Sequence, residues 1–241
     1  VFLAAASPEA LPLIEDQALN LLKKLPSAGS TSASELPDSL FQQSRRIAAC
    51  VDSPSQEIRL LGDFRDNGDF KGRYLPFLPA LSDRYIKPAI RYRGSAYDSG
   101  IDFILPAGYF TLWSTADQDA ASTIPVFLNA GKALEELELT DEDLQGYILS
   151  TYAQALPPAG MLNSRMRYLR RAMMGIDTKR VNEMISDIKN CSMNDCRAAA
   201  RLIGNMIEKG PIAAVGNEKA LTGCRQLFDE VLHIRNQRRH R

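Results

Sequence analysis

Histidine is nearly absent from this chain: there are two among 241 residues, His233 and His240, separated by Ile-Arg-Asn-Gln-Arg-Arg. A helical H-x-x-E-H or H-E-x-x-H sets two imidazoles one turn apart with a carboxylate beside them, and neither can be written with this pair. No paired cysteines compensate, so a metal site made wholly within this segment is excluded as an expectation. A Ser-His-Asp triad would have to recruit one of two tail histidines set among arginines. Phosphate-cradling and nucleophile-elbow signatures are missing too: there is no G-x-x-x-x-G-K-[ST], no G-x-G-x-x-G after a strand and no G-x-S-x-G. No catalytic residue is assigned to this segment. Charge of one sign is equally lacking. Lys plus Arg (29) cancels Asp plus Glu (29), which removes the overall field that favours nucleic acid or anionic lipid. The longest apolar runs, such as Val1 to Ala6, fall far short of the roughly 20 residues of a membrane span. Neither nucleic acid nor membrane is expected as a partner.

Cysteine is sparse. Cys50, Cys191, Cys196 and Cys224 form no C-x-x-C pair, and four in a chain this long are not a disulfide framework. Buried free thiols in the cytoplasm or another reducing compartment are expected, although Cys191 and Cys196 are close enough in sequence to pair in a secreted protein. Val1 is not an initiator methionine, and an apolar, strand-like run starts at once. A fragment of a longer parent chain is therefore expected.

What is present is an ordinary globular composition, 45% hydrophobic and 24% charged, long enough for one large domain or two small ones. Val1 to Ser7 reads as a short strand, followed by a helix to Leu25 whose leucines recur at helical spacing. Pro26 to Ser39 reads as a surface linker within the domain. Ser44 to Val51 and Glu57 to Phe64 read as strands. A turn at Asp66, Asn67 and Gly68 leads into a helix over Lys71 to Tyr92, interrupted in principle by Pro76, Pro79 and Pro88. Ala96 to Leu105 and Tyr109 to Ser114 form a strand pair turning at Pro106-Ala-Gly108, with Tyr109 and Trp113 on one face and one of them expected in the core. Helices are predicted near 119–138, 141–156, 160–174, 178–190 and 194–209. Thr140 with Asp143 is a capping-box match, and Gly175 and Gly210 suit helix stops. Pro211 to Gly216 is a further strand and Glu218 to Leu232 a last helix, a faint echo of the strand and helix that open the chain. The expected fold class is α+β, a layered mixed sheet with helices on one face.

The most informative stretch is Arg84-Tyr-Ile-Lys-Pro-Ala-Ile-Arg91-Tyr-Arg-Gly94-Ser-Ala-Tyr97-Asp-Ser-Gly100. Arg91 falls in the last helical turn and Tyr97 at the start of a strand, with Gly94 between them. The tight turn can fold both toward one cleft. A plainer reading is that Arg91 complements the helix dipole, for about 0.3–1 kcal/mol, and that Tyr97 is a half-buried strand aromatic. The arginines 165, 167, 170 and 171 read first as a solvated helix face with Tyr168 and Leu169 inward, and second as the lining of an acidic or peptide-filled chamber. Met161, Met166, Met173 and Met174 read as core filler. The basic tail from Arg235 to Arg241 reads as solvated.

The Ile90-Arg91-x-x-Gly94-x-Ala96-Tyr97 pattern within Leu81 to Tyr97 resembles the C-terminal-half signature of the insulinase (pitrilysin) superfamily of zinc metallopeptidases. It is most like the presequence-protease branch, from which it departs by Ser95 and Asp98 where that branch has glycines. Ala107 to Ser114, Asp117, Leu139 to Leu144, Ile185 to Cys196 and Ile212 to Gly216 resemble further family segments in the same order. The resemblance implies a single, C-terminal, metal-free domain over 1–241 with a half-domain fold of the mitochondrial-processing-peptidase type. It also implies a metal-bearing N-terminal half, in the same or a separate chain, that carries the zinc and closes with this domain around an unstructured peptide. In that comparison Arg91 and Tyr97 are the substrate-binding residues. A guanidinium offers a forked donor to a carbonyl or carboxylate, and a phenol can donate to a developing oxyanion, a contact worth roughly 10²–10³ in rate. The alternatives are a structural or assembly domain of the same fold with no substrate role, and an independent hydrolase of another type.

Overall fold

The structure, a computed structural model, describes residues 4, 6–25, 46–65, 67–92, 94, 96–156 and 160–234, and the side chains of Met161, Leu162, Asn163 and Arg165 lie outside it. The strand expected over Val1 to Ser7 falls largely outside the described residues, and with it the echo of the C-terminal strand and helix. The expected linker from Pro26 to Ser39 and the basic tail from Arg235 also fall outside. In chain order the elements are α1 (Leu11–Lys24), β1 (Arg46–Val51), β2 (Gln56–Asp63), α2 (Phe77–Leu81), β3 (Asp98–Ile104), β4 (Tyr109–Asp117), α3 (Ala120–Leu128), α4 (Ala130–Glu135), α5 (Asp141–Ala155), α6 (Met161–Met173), α7 (Thr178–Asp187), α8 (Cys196–Lys209), β5 (Ile212–Asn217), α9 (Glu218–Gly223) and β6 (Glu230–His233).

Two compact units are distinguished, one of residues 1–43 and 157–178, the other of 44–156 and 179–241. The larger unit is built on a six-stranded mixed sheet in the order β3-β4-β2-β5-β1-β6. Its alternation explains its layering. Ile58 and Leu60 of β2, Phe110 and Leu112 of β4, and Ile212 and Ala214 of β5 are buried, while Glu57, Arg59 and Asp63 between them are exposed. A period of two therefore sends one apolar row from each strand toward the helices. Phe77, Leu78 and Leu81 of α2, Ile124 and Phe127 of α3, Leu134 of α4, and Ile203 and Ile207 of α8 are fully buried. Each such side chain contributes about 1.5–3 kcal/mol by leaving water. The α+β class, a mixed sheet with helices, is as expected.

Several elements differ from the sequence reading. Tyr109 and Trp113 do share a face, but both are half-buried on the side away from Phe110 and Leu112, and neither enters the core. There Trp113 lies under the Arg59 guanidinium, 5.6 Å from its ring centroid. The helix predicted over 119–138 is two helices that meet at Asn129, after the interior Pro125 of α3. The helix predicted over Glu218 to Leu232 is not formed. α9 ends at Gly223, a 3-10 turn covers Arg225–Leu227, and β6 follows. β6 is drawn off by pairing in parallel with β1, from Ile47 opposite Glu230 to Cys50 opposite His233. Asp229 anchors it, accepting from the Arg46 N–H at 2.8 Å. A tertiary ladder outweighs the local helical pattern.

In the smaller unit α1 forms as predicted, yet Ala18 is its only buried residue. In α6, Tyr168 is 61% exposed, and Met173 and Met174 beyond it are exposed as well. Those two methionines are therefore not core filler, and Tyr168 does not point inward; Met166 and Leu169 are half-buried.

Candidate functional site

Proline decides the shape of the segment that carries Arg91. The single helix predicted over Lys71 to Tyr92 is a 3-10 turn at Gly72–Tyr74, then α2, then two π-helical turns, Ser82–Ile86 and Pro88–Tyr92. Pro88 has no N–H for the Arg84 carbonyl, and its ring crowds that carbonyl, so the coil widens. The Lys87 N–H accordingly reaches back to the Ser82 carbonyl. The chain then reverses at Gly94. A Cβ there would sit 2.4 Å from the Ile90 carbonyl oxygen, a contact no larger residue fits without moving backbone. The Ala96 N–H donates to that same oxygen at 3.4 Å, and the Tyr97 N–H donates to the Thr115 carbonyl at 3.1 Å, which starts the β3–β4 ladder.

The acids and bases of this segment are matched along its length. The Ser82 hydroxyl accepts from the Ile101 N–H at 3.1 Å and ties the segment to β3. Arg84 donates to Asp143 at 2.5 Å. Asp143 is also the third helical residue of the α5 capping box, exchanging hydrogen bonds with the N-cap Thr140. Those Thr140 bonds, backbone first, hold the Asp143 carboxyl below the usual range, with Arg84 adding to the effect. Lys87 donates to Asp83 at 2.7 Å. This bond raises the Lys87 ammonium pKa against the effect of burial, and the charge of Asp98 helps.

Arg91 and Tyr97 flank the Gly94 turn. The Arg91 side chain is 44% exposed, with Nη1 3.5 Å from Asp98 Oδ1 and the guanidinium 5.7 Å from the Tyr92 ring centroid. Tyr97 is 77% exposed. Arg91 thus reaches the residue adjacent to Tyr97, and both side chains are open to solvent. Surface clefts of about 590 and 480 Å³ lie along α7 and beside Gln56, and neither is lined by Arg91 or Tyr97. Sequence reasoning missed the partner role of Asp98. Asp98 stands where the resembling motif has glycine, seven residues from Arg91, and only the folded turn brings the two together.

Asp117, aligned above with a family aspartate, is fully buried. It accepts from the Thr123 hydroxyl at 2.7 Å and the Asp119 N–H at 2.8 Å, so it fastens the start of α3. All four cysteines are buried free thiols; burial pushes the Cys191 thiol up to about 12. Among the described residues no group of three or more His, Cys, Asp or Glu side chains could hold a metal ion, and no helix is long and apolar enough to cross a membrane. His233 instead sits on β6, with Nδ1 3.1 Å from Glu218.

The six-stranded mixed sheet with its helical cover is a fold that this chain shares with solved structures. A solved peptidase M16 inactive domain from Pseudomonas fluorescens superposes with a TM-score of 0.52 at 14% identity, over 88% of this chain and 51% of that one. A conserved protein from Enterococcus faecalis superposes with a TM-score of 0.50 at 12% identity, over 73% and 42%. Among curated proteins, presequence protease 1, chloroplastic/mitochondrial, of Arabidopsis thaliana is 25% identical over 141 residues, which is 57% of this chain and 13% of that protein. The chain therefore spans a small part of that relative and about half or less of the solved chains. No protein-family model matches.

Proposed function

We propose that this chain is a single, non-catalytic domain of an insulinase-type zinc peptidase, contacting peptide substrate through Arg91 and Tyr97. It closes a digestion chamber against a metal-bearing N-terminal half that carries the zinc, in the same or another chain. The observation that carries this reading is the Gly94 turn, which holds two solvent-open side chains of complementary chemistry at one end of β3. Among the described residues the ion pair of Arg91 is one 3.5 Å contact with Asp98, long for a charge-assisted bond. A substrate carbonyl or carboxylate can replace it at small cost. The Tyr97 hydroxyl supplies a donor for the oxyanion formed when water attacks the peptide carbonyl. With the zinc-bearing half restored, Arg91→Ala and Tyr97→Phe each lower peptide turnover by roughly tenfold or more, while zinc content measured by emission spectrometry is unchanged. Turnover within about twofold of the parent for both variants removes the mechanism.

The 77% exposure of Tyr97 also suits a second reading, a structural or assembly domain of the same fold. Binding of an unstructured peptide to the chain and to Arg91→Ala separates the two. If neither binds while the chain still joins its metal-bearing half, the assembly reading stands.

A further inference from the structure

Between Asp143 and Asp177 every charged residue is an arginine, and all four lie on α6. At 100° per residue Arg167, Arg170 and Arg171 share one face of that helix, at spacings of three and four. Arg170 is exposed and the other two half-buried. Elsewhere the chain matches such charges: Arg65 pairs with Asp63, Arg73 with Asp187, Arg84 with Asp143 and Arg91 with Asp98. Among the described residues no carboxylate pairs with any of these three α6 guanidiniums. The Arg171 Nε is buried without an acceptor. Burial, and then the charge of Arg167, lower the Arg171 pKa. Like charges one turn apart oppose helix formation, so the isolated helix carries an unfavourable term that an anionic partner would remove.

We infer that the Arg167, Arg170 and Arg171 face of α6 is a docking surface for an acidic helical segment of another polypeptide. The arrangement favours a polypeptide over a lipid surface. An interfacial membrane helix segregates a broad apolar face from its charges. Here the exposed Tyr168 and Met173 flank the arginines on either side, Met174 follows in their line, and Met166 and Leu169 are already half-covered. Apolar and cationic groups are interleaved, as at a protein interface, where Arg, Tyr and Met are enriched. Forked guanidiniums at helical spacing match carboxylates at the same spacing on a facing helix, two bonds to each. The inference is independent of Arg91 and Tyr97.

The probe is a helical peptide of about four turns, with Glu at i, i+3 and i+4 and leucines beside them. It is titrated into the chain by fluorescence anisotropy, next to a shuffled peptide of equal composition. The patterned peptide binds roughly tenfold tighter than the shuffled one. Arg167→Glu with Arg170→Glu and Arg171→Glu abolishes that binding and creates binding to a version carrying Lys for Glu. Where circular dichroism shows that the triple variant is misfolded, the exposed Arg170→Gln alone lowers affinity about threefold or more. Equal binding of patterned and shuffled peptides overturns the inference. So does tighter binding to phosphatidylserine vesicles or to an RNA oligonucleotide, or unchanged binding by the folded variants.

Discussion

Arg73 and Arg91 each face an aspartate, and the two pairs are built to different tolerances. Asp187 is gripped from four sides: the Arg73 Nη2 at 2.7 Å, its Nε at 3.1 Å, its backbone N–H at 3.1 Å and the Asn190 amide at 3.1 Å. Asp98 offers Arg91 one oxygen at 3.5 Å, and that oxygen also accepts from the Ser99 N–H. Asp187 is 19% exposed and Asp98 36%. A bidentate pair with little exposed surface fixes the turn before α2 to the end of α7, whereas a single long contact in water fixes almost nothing. The loose pair is the one that can be exchanged for a ligand.

The largest expected effect is at the tight pair. Asp187→Ala leaves the Arg73 guanidinium and backbone N–H short of acceptors and lowers stability by about 2 kcal/mol in denaturant titrations. Burial alone would raise the Asp187 pKa, but the Arg73 and Asn190 bonds outweigh it and the carboxyl is held low. With a depressed folded-state pKa, its contribution is present above the unfolded carboxylate value, near pH 4, and is lost as pH falls through the folded value. Asp187→Asn therefore flattens the acid limb of the stability curve below about pH 4; an unaltered limb contradicts the assignment. Next comes Thr140→Ala, which removes the cap of α5 that also positions Asp143 against Arg84, at a cost of about 1 kcal/mol. The smallest effect separates the two classes of pair. Arg91→Ala and Asp98→Asn change stability by no more than about 0.5 kcal/mol, although Arg91→Ala is the variant expected to cost tenfold in turnover. A loss as large as that of Asp187→Ala would make Arg91 structural and erase the distinction.

Legibility in the sequence followed how local the deciding physics was. The Thr140–Asp143 cap is decided within three residues and was readable, as were β2, the β3–β4 pair and the Gly108 turn, where φ is 72°. The helix before Arg91 was readable in place but not in kind. Its prolines announced breaks, whereas a widened π-helical coil is only one of several ways a chain accommodates a proline such as Pro88. β6 was unreadable because its apolar positions fit a helix equally well, and only the free edge of β1 decides between them. At the site, the Arg91, Gly94 and Tyr97 spacing was legible. The pairing of Arg91 with Asp98 was not, since it depends on how closely the chain folds back at Gly94.

β1 lies between β5 and β6, both more than 150 residues further along the chain, and pairs in parallel with each. Synthesis therefore releases Ile47-Ala-Ala-Cys-Val51 long before either neighbour exists. Contacts of such sequence separation are slow to close, and an apolar strand waiting with both edges bare invites self-association. A ribosome stalled before Ile212 would leave a chain able to form helices and the β2–β3–β4 part of the sheet, but with nothing to seat β1. Seating of β1 thus waits on residues 212–233, and until they are made the strand stays open to the wrong partners.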